Sequence, residues 1–587
     1  NIKVIRPVCW HPNIEDMKRS SDKLFCCRWV RHRVPAAHRE ELYHILRMTG
    51  PLLLSRILNY LLPFVVTMFC GRLGNNVMAG YGLASATINV TTAATGCGLG
   101  LACDTLVSQT FGGKNLLRVG VILQRGIIIL LLFCLPCWAL LINTQSILLC
   151  LGQDPDVARI AQLYITLFLP AVPAMFLHHL QVSYLQNQGI ILPQMYTAAV
   201  ANIANVLTNY ILVHWLDLGV SGSAAANTLS QIYICIFLFA YIQWKKLHAN
   251  TWGGWSAESL QEWGSYMKLA IPSALMKCFE WWVYEFGGFF AGMLSEDELA
   301  AQHAVMMVAA ITYMFPFGIQ AAACARVGNA LGAGDSGRAI LSSKVSLTLA
   351  GCIAILEGLL LASVKTVIGC IFTSDEKIIS LVSHLMNAYC FLQFFDGLVS
   401  VCTGIFLGTG RQRIPAVANF IGYYCIGLSL SITLMFVAKL RVLGFWLGLL
   451  ICVVLQSTFY IILIFKLDWE KMTDEVCFWL IYQSGLHFGQ KDLAEGTQCL
   501  TEDTEKVEVQ ANQGLNGNRL SNTQLIFRRG LTMFAVAALL AVGTSVHFLV
   551  PLPEIPSKNS STTQWINTTY APDQILTNIL VGNEEPE

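Results

Sequence analysis

Thirteen stretches of about 20 mostly apolar residues recur along this chain, and they constrain its fold more than any other feature. Such a stretch crosses the hydrocarbon core of a bilayer as an α-helix, because a helix satisfies its backbone N–H and C=O groups from within. The stretches fall at 50–71, 83–110, 119–142, 158–180, 190–213 and 220–244, then at 267–293, 299–324, 340–362, 378–406, 414–437 and 443–465, with an isolated last one at 531–550. Only 12% of the 587 residues are charged while 55% are hydrophobic, too few charges to cover soluble domains of this total size. The net charge of +1 excludes nucleic-acid binding through a basic field. The 20 cysteines are scattered through apolar runs and read as small apolar filler, so no metal site and no cofactor is expected.

Lys and Arg mark one set of loops: Lys114, Arg118, Lys245, Lys246, Arg326, Arg338, Arg411, Arg413, Arg528 and Arg529, with Arg28, Arg31, Arg33 and Arg39 of the polar head. The opposite loops hold few bases, and one carries Glu296, Asp297 and Glu298. This bias predicts a cytoplasmic N-terminus and, with an odd number of spans, an extracellular C-terminus. The organisation expected is a cytoplasmic tail at 1–46, a first lobe at 47–245, a cytoplasmic interlobe loop at 246–266, a second lobe at 267–466, a flexible cytoplasmic linker at 467–527, a thirteenth span at 528–550 and an extracellular tail at 551–587. Asn559 and Asn567 open sequons in that tail, where N-glycosylation is expected to be available.

The first six spans resemble the next six. Pro51, Gly71, Leu73, Ala79, Cys103 and Gly113 reappear as Pro272, Gly292, Leu294, Ala300, Cys324 and Gly334, an offset of 221. Pro193 and Gly222 reappear as Pro415 and Gly444, an offset of 222. Each half has an even number of spans, so the repeat is parallel, with its axis along the membrane normal. The fold class expected is therefore all-α and polytopic, with two six-helix lobes related by a pseudo-two-fold repeat and a thirteenth helix appended. Duplicated halves of this kind build alternating-access transporters with the substrate path between them.

A charge in mid-bilayer costs about 2.5–3.5 kcal/mol on insertion scales, so acids inside spans are functional candidates. Glu280 and Glu285 lie in span seven, Glu357 in span nine and Asp396 in span ten. Glu280 and Glu285 are about 140° apart on a helix and cannot face the same way. A carboxyl group among apolar neighbours takes up a proton readily, and once ionised it attracts a cation, helped by Trp and Tyr faces. One such site can alternate between a proton and an organic cation. The ordinary alternative for each acid is a polar bridge between helices.

These residues lie in segments that together resemble the multidrug and toxin extrusion (MATE) family, in its vertebrate branch. They are GLACDTLVSQTFGGKN, VGVILQRG (119–126), QDPDV (153–157), LQNQGIILPQ (185–194), TWGGW (251–255), AIPSALMKCFEWWVYE (270–285), RVGNALGAGD (326–335) and GTGRQRIPA (408–416). The resemblance implies export of organic cations, drugs and toxins among them, in exchange for protons, by a monomer in the plasma membrane, with an apical surface as the family pattern. It implies that Glu280, Glu285 and Asp396 couple protons to cations, and that Trp281, Tyr284, Tyr313 and Asn89 line the cavity. Met307 stands where vertebrate members usually carry a glutamate, and Lys277, Glu357 and Arg56 have no counterpart in the family pattern.

Lys277, three residues before Glu280, either pairs with it or pairs with Glu357 across a helix interface, and the second arrangement is the one expected. The extra bases keep open a shifted substrate class (zwitterion, anion or lipid-like), and carboxylates leave sodium coupling open. The missing span-eight acid keeps open a receptor or scaffold that does not transport. The histidines are isolated in sequence and no nucleophile–base or nucleotide motif accompanies them, so an enzyme is not expected.

Overall fold

The computed structural model describes residues 35–552 apart from 72, 74, 374 and 485–520. Arg28, Arg31, Arg33, Asn559 and Asn567 lie outside the described residues. Among those described, all regular secondary structure is helical.

The first lobe comprises α1 (Ala36–Gly71), α2 (Asn75–Ile88), α3 (Ala94–Gly112), α4 (Leu116–Leu141), α5 (Thr144–Cys150), α6 (Pro155–Phe168), α7 (Ala171–Gln186), α8 (Leu192–Asn209) and α9 (Gly219–Trp244). One π-helical turn, Asn89–Ala93, joins α2 to α3. The α6–α7 pair bends by 56° at Pro170, which has no N–H to continue the ladder. The second lobe comprises α10 (Trp263–Leu294), α11 (Glu296–Gly332), α12 (Ser336–Val364), α13 (Glu376–Gly408), α14 (Arg413–Asn419), α15 (Ser429–Ile432) and α16 (Arg441–Lys466). Among the described residues 11 helices are long and apolar enough to cross a membrane, and the bent pair makes 12. The 32-residue α10 is not one of them, because Lys268, Lys277, Glu280 and Glu285 interrupt its apolar run.

The repeat is written into the backbone. Gly189 and Gly410, 221 apart, both take a left-handed conformation, with φ of 76° and 75°. Asp154 and Asp375, equally spaced, both cap helices, accepting from the N–H of Asp156 and of Lys377 at 2.9 and 2.8 Å. Each lobe also has a large apolar core, one built from buried residues between Val66 and Ala270, with Trp263, Tyr266 and Ala270 at the start of α10 packed into it, the other from Val283 to Met472.

The lobes meet most tightly at one end. Glu41 of α1, 3% exposed, accepts from Nε and Nη2 of Arg326 on α11 at 2.8 and 2.6 Å and from Ser342 of α12 at 2.7 Å. Thr105 and Gln109 of α3 donate to the carbonyls of Leu407 and Gly408 on α13 at 2.7 and 3.0 Å. A Cβ on Gly332 would collide with the Gln109 carbonyl, and one on Gly112 with that of Asn329, so α3 and α11 touch backbone to backbone. Towards the other end, hydrogen bonds between the lobes stop at Tyr60–Met307 and Trp282–Val90 among the described residues.

Two segments depart from expectation. The helix α1 starts at Ala36, within the stretch expected as a polar tail, because its charged first turns find partners on the other lobe. The stretch expected as a flexible linker opens with α17 (Trp469–Ser484), whose Trp469 and Met472 join the second core while Trp479 packs on the first. The last helix, α18 (Asn522–Leu549), lies against α4, and Asn143, just past the end of α4, donates to the Gly543 carbonyl at 2.9 Å.

Glu41→Ala leaves the Arg326 guanidinium buried without its partner and is expected to destabilise the protein by about 3–5 kcal/mol. The double variant Glu41→Leu, Arg326→Met is expected to recover most of that loss, read as thermal unfolding in detergent. A single variant that melts like the parent would show that this ion pair does not hold the lobes together.

Candidate functional site

Between the lobes lies a cavity of about 500 Å³. Helical stripes line it. From α1 come Arg56, Asn59, Tyr60 and Pro63, at spacings of i, i+3, i+4 and i+7. From α11 come Met306, Ala309, Ala310, Tyr313, Met314 and Phe317, the same stripe over three turns. From α13 come Tyr389, Leu392 and Asp396, and from α10 come Glu280, Trp281 and Tyr284. His178 and His179 of α7 and Gln231 of α9 add polar groups to the first-lobe wall.

The Glu280 carboxylate is fully engaged. It accepts from Lys277 Nζ at 2.9 and 3.1 Å and from the Tyr313 hydroxyl at 2.6 Å, which ties α10 to α11. Lys277 is 1% exposed, so this ion pair is buried at its basic end. The expected pairing of Lys277 with Glu357 is not formed. One helical turn brings Lys277 to Glu280 without crossing an interface. Glu357 lies on α12 in a small separate pocket with Pro316 and Gly397, and its Oε1 has no hydrogen-bond partner.

The other expected residues divide. Asp396, Trp281, Tyr284 and Tyr313 line the cavity with Glu280. Asp396 has no hydrogen-bond or ion-pair partner among the described residues. Arg56 also lines the cavity, its guanidinium stacked 4.5 Å from the centroid of Phe317, and Lys277 Nζ lies 5.6 Å from the same ring. Glu285 and Asn89 are not brought into the cavity. Glu285 is exposed on the far side of α10, as its angular offset from Glu280 dictates. Asn89 is exposed at the start of the π turn, whose next carbonyl, that of Val90, accepts from Trp282 Nε1 at 3.2 Å. Met307 receives the Tyr60 hydroxyl at 3.6 Å, closing the α1–α11 seam where an acid was missing.

Sequence reasoning overlooked a fifth intramembrane acid, Asp104 of α3, 4% exposed, which accepts from the side-chain amides of Gln186 and Asn187 at 2.9 and 2.6 Å. Its position inside an apolar span was the available signal. His178 and His179, isolated in sequence, both face the cavity. Cys134 and Cys137 have CxxC spacing within α4, but both are buried, and no metal-holding group occurs among the described residues.

Residues 51–211 and 272–433 match the MatE family model, one match per lobe. The chain is 46% identical over 558 residues to multidrug and toxin extrusion protein 1 of Danio rerio, covering 90% of this chain and 94% of that protein. It is 46% identical over 541 residues to the Homo sapiens protein of the same name, covering 88% and 95%. The crystal structure of the eukaryotic MATE transporter AtDTX14 superposes with a TM-score of 0.73 at 26% identity, covering 76% of this chain and all of that one (100%).

Lys277→Met strands the Glu280 carboxylate and is expected to destabilise the protein by about 3–5 kcal/mol. Adding Glu280→Gln should restore most of the stability. Glu357→Gln should add to Lys277→Met within about 0.5 kcal/mol, as an independent site does. A double-mutant cycle on thermal unfolding in detergent measures all three. Strong coupling between 277 and 357 would contradict the geometry described here.

Proposed function

The chain belongs to the MATE family of membrane transporters, and from that premise we propose that it exports organic cations in exchange for protons by alternating access of its two lobes. The observation that carries this reading is the Asp396 carboxylate, unpartnered among the described residues, in a cavity between two lobes that each have a large apolar core. A proton and an ammonium group compete for such a carboxylate, and that competition is the minimum chemistry of an antiporter. Trp281, Tyr284 and Tyr313 add aromatic faces for the cation. Glu280, held by Lys277 and Tyr313, joins the exchange when the lobes rearrange and the ion pair loosens. Glu285, outside the cavity in this state, would join only then.

Positive charge supports the sidedness. Lys114, Arg338, Arg411 and Arg413 sit beside the sealed end, which we assign to the cytoplasm, so the cavity faces outward. The α18 helix is read as a thirteenth span, which puts the C-terminal tail, with Asn559 and Asn567, outside the cell. The protein works as a monomer in the plasma membrane, because one chain encloses a whole cavity.

The test is uptake of radiolabelled tetraethylammonium into proteoliposomes under an imposed pH gradient, with a sodium gradient as the control. Asp396→Asn is expected to lower proton-driven uptake at least tenfold while the protein still reconstitutes, and Glu280→Gln combined with Lys277→Met, which leaves no stranded buried charge, is expected to do the same. Parent-level uptake by Asp396→Asn would sink the mechanism, and flux driven only by sodium would replace the proton with sodium.

A further inference from the structure

The repeat makes Arg56 and Lys277 equivalent. Arg56 and Lys277 are 221 apart, the offset that relates the lobes, so each sits at the same turn of the first helix of its lobe. The residue three positions on is Glu280 in the second lobe and Asn59 in the first. Lys277 is therefore neutralised within its own helix at 2.9 Å. Arg56 is not. The equivalent position offers it a neutral amide, and it has no ion-pair or hydrogen-bond partner among the described residues beyond its stacking on Phe317.

The first-lobe wall around it is rich in unused polar atoms. Asn59 Oδ1, both ring nitrogens of His178 and Nε2 of His179 are buried without partners. The opposite wall carries Asp396. The cavity thus has a cationic, polar side on the first lobe and an acidic side on the second, and with Glu280 paired to Lys277, Arg56 and Asp396 are its unpaired charges.

We propose that the solute carried in this cavity is a zwitterion, held with its anionic group on Arg56 and its cationic nitrogen at Asp396. This rests on the reading that the cavity is the transport path, and it sharpens the substrate class from cation to zwitterion. A purely cationic solute would meet Asp396 but leave the Arg56 guanidinium unpaired in a poorly solvated space, while a purely anionic one would strand Asp396. A zwitterion satisfies both ends at once. The planar fork of a guanidinium suits a carboxylate, sulfonate or phosphate in two-point contact.

The test uses the full chain in proteoliposomes under an imposed pH gradient, with two matched labelled probes. One is butyltrimethylammonium. The other is γ-butyrobetaine, the same ion with a carboxylate in place of the terminal methyl. The parent protein is expected to carry γ-butyrobetaine faster. Arg56→Gln should lower the zwitterion-to-cation flux ratio at least tenfold, Arg56→Lys should keep it within about threefold, and Asn59→Glu, which gives Arg56 an internal partner like Glu280, should lower it as Arg56→Gln does. In the parent alone, which removes any question of folding, unlabelled γ-butyrobetaine should inhibit butyltrimethylammonium uptake more strongly than unlabelled butyltrimethylammonium does. An unchanged ratio in Arg56→Gln, or weaker inhibition by the zwitterion, overturns the proposal and leaves cation exchange standing. No gradient-driven flux of either probe or of tetraethylammonium overturns both.

Discussion

The ion pair between Lys277 and Glu280 makes the rest of the transport core possible. A helix with four charged residues is too polar to enter hydrocarbon on its own, and α10 carries Lys268, Lys277, Glu280 and Glu285. Setting two of them one turn apart replaces two separate desolvation costs with one compact, hydrogen-bonded pair. The Tyr313 hydroxyl then takes up remaining acceptor capacity of the carboxylate and fixes α10 to α11. With Glu280 committed in this way, Asp396 is left as the acid open to exchange, and the character of the cavity follows from which charges are held and which are free.

Contacts between the lobes mix small apolar clusters with polar bonds. Inside each lobe, large apolar cores hold the helices, and such packing does not rearrange piecemeal. Between the lobes the apolar clusters are smaller, Ile45 and Leu52 with Ala321 and Ala322, and Leu101 with Met276 and Cys324, and beside them the join rests on the buried Glu41–Arg326 ion pair, on side chains reaching carbonyls, and on glycine backbones in contact. Bonds of that sort exchange for water with little net loss. Rigid lobes with a hydrogen-bonded seam are what a two-state rearrangement requires. The α17 helix bears on this seam, since its tryptophans touch both cores and its Glu475 meets Arg411 at 2.7 Å.

Much of this was legible in the sequence because it depends on local or periodic features. Apolar length shows helices, the offset of 221 shows the duplication, and an acid in an apolar run shows a candidate site. What depended on side-chain choice between helices was not legible. Lys277 had two chemically reasonable partners, and Glu357 lies instead in a separate pocket beside Pro316. Helical angle separated Glu280 from Glu285 but could not say which one faced the cavity. Asn89 opens a π turn, which shifts every later side chain around the axis and leaves no mark in composition. The α17 helix was missed because charged residues separate its buried Trp469, Met472, Val476, Cys477 and Leu480, which form a stripe at helical spacing rather than an apolar run.

Duplication also explains how one cavity comes to have two unlike walls. Two copies of a helix that begin alike place a base at the same depth in each lobe, here Arg56 and Lys277. Were both followed by glutamate, each base would be cancelled within its own helix and the cavity would present only whatever acids remained. Were neither, two unpaired cations near one phenylalanine ring would repel each other and any cationic solute. A single difference, Asn59 against Glu280, leaves one base free and one held. Asp396 has no acid opposite it, because the equivalent position in the first lobe is Met175. The two walls therefore carry opposite charge in a fixed orientation, so the symmetry that relates the lobes mechanically is broken electrostatically at the point where solute is held.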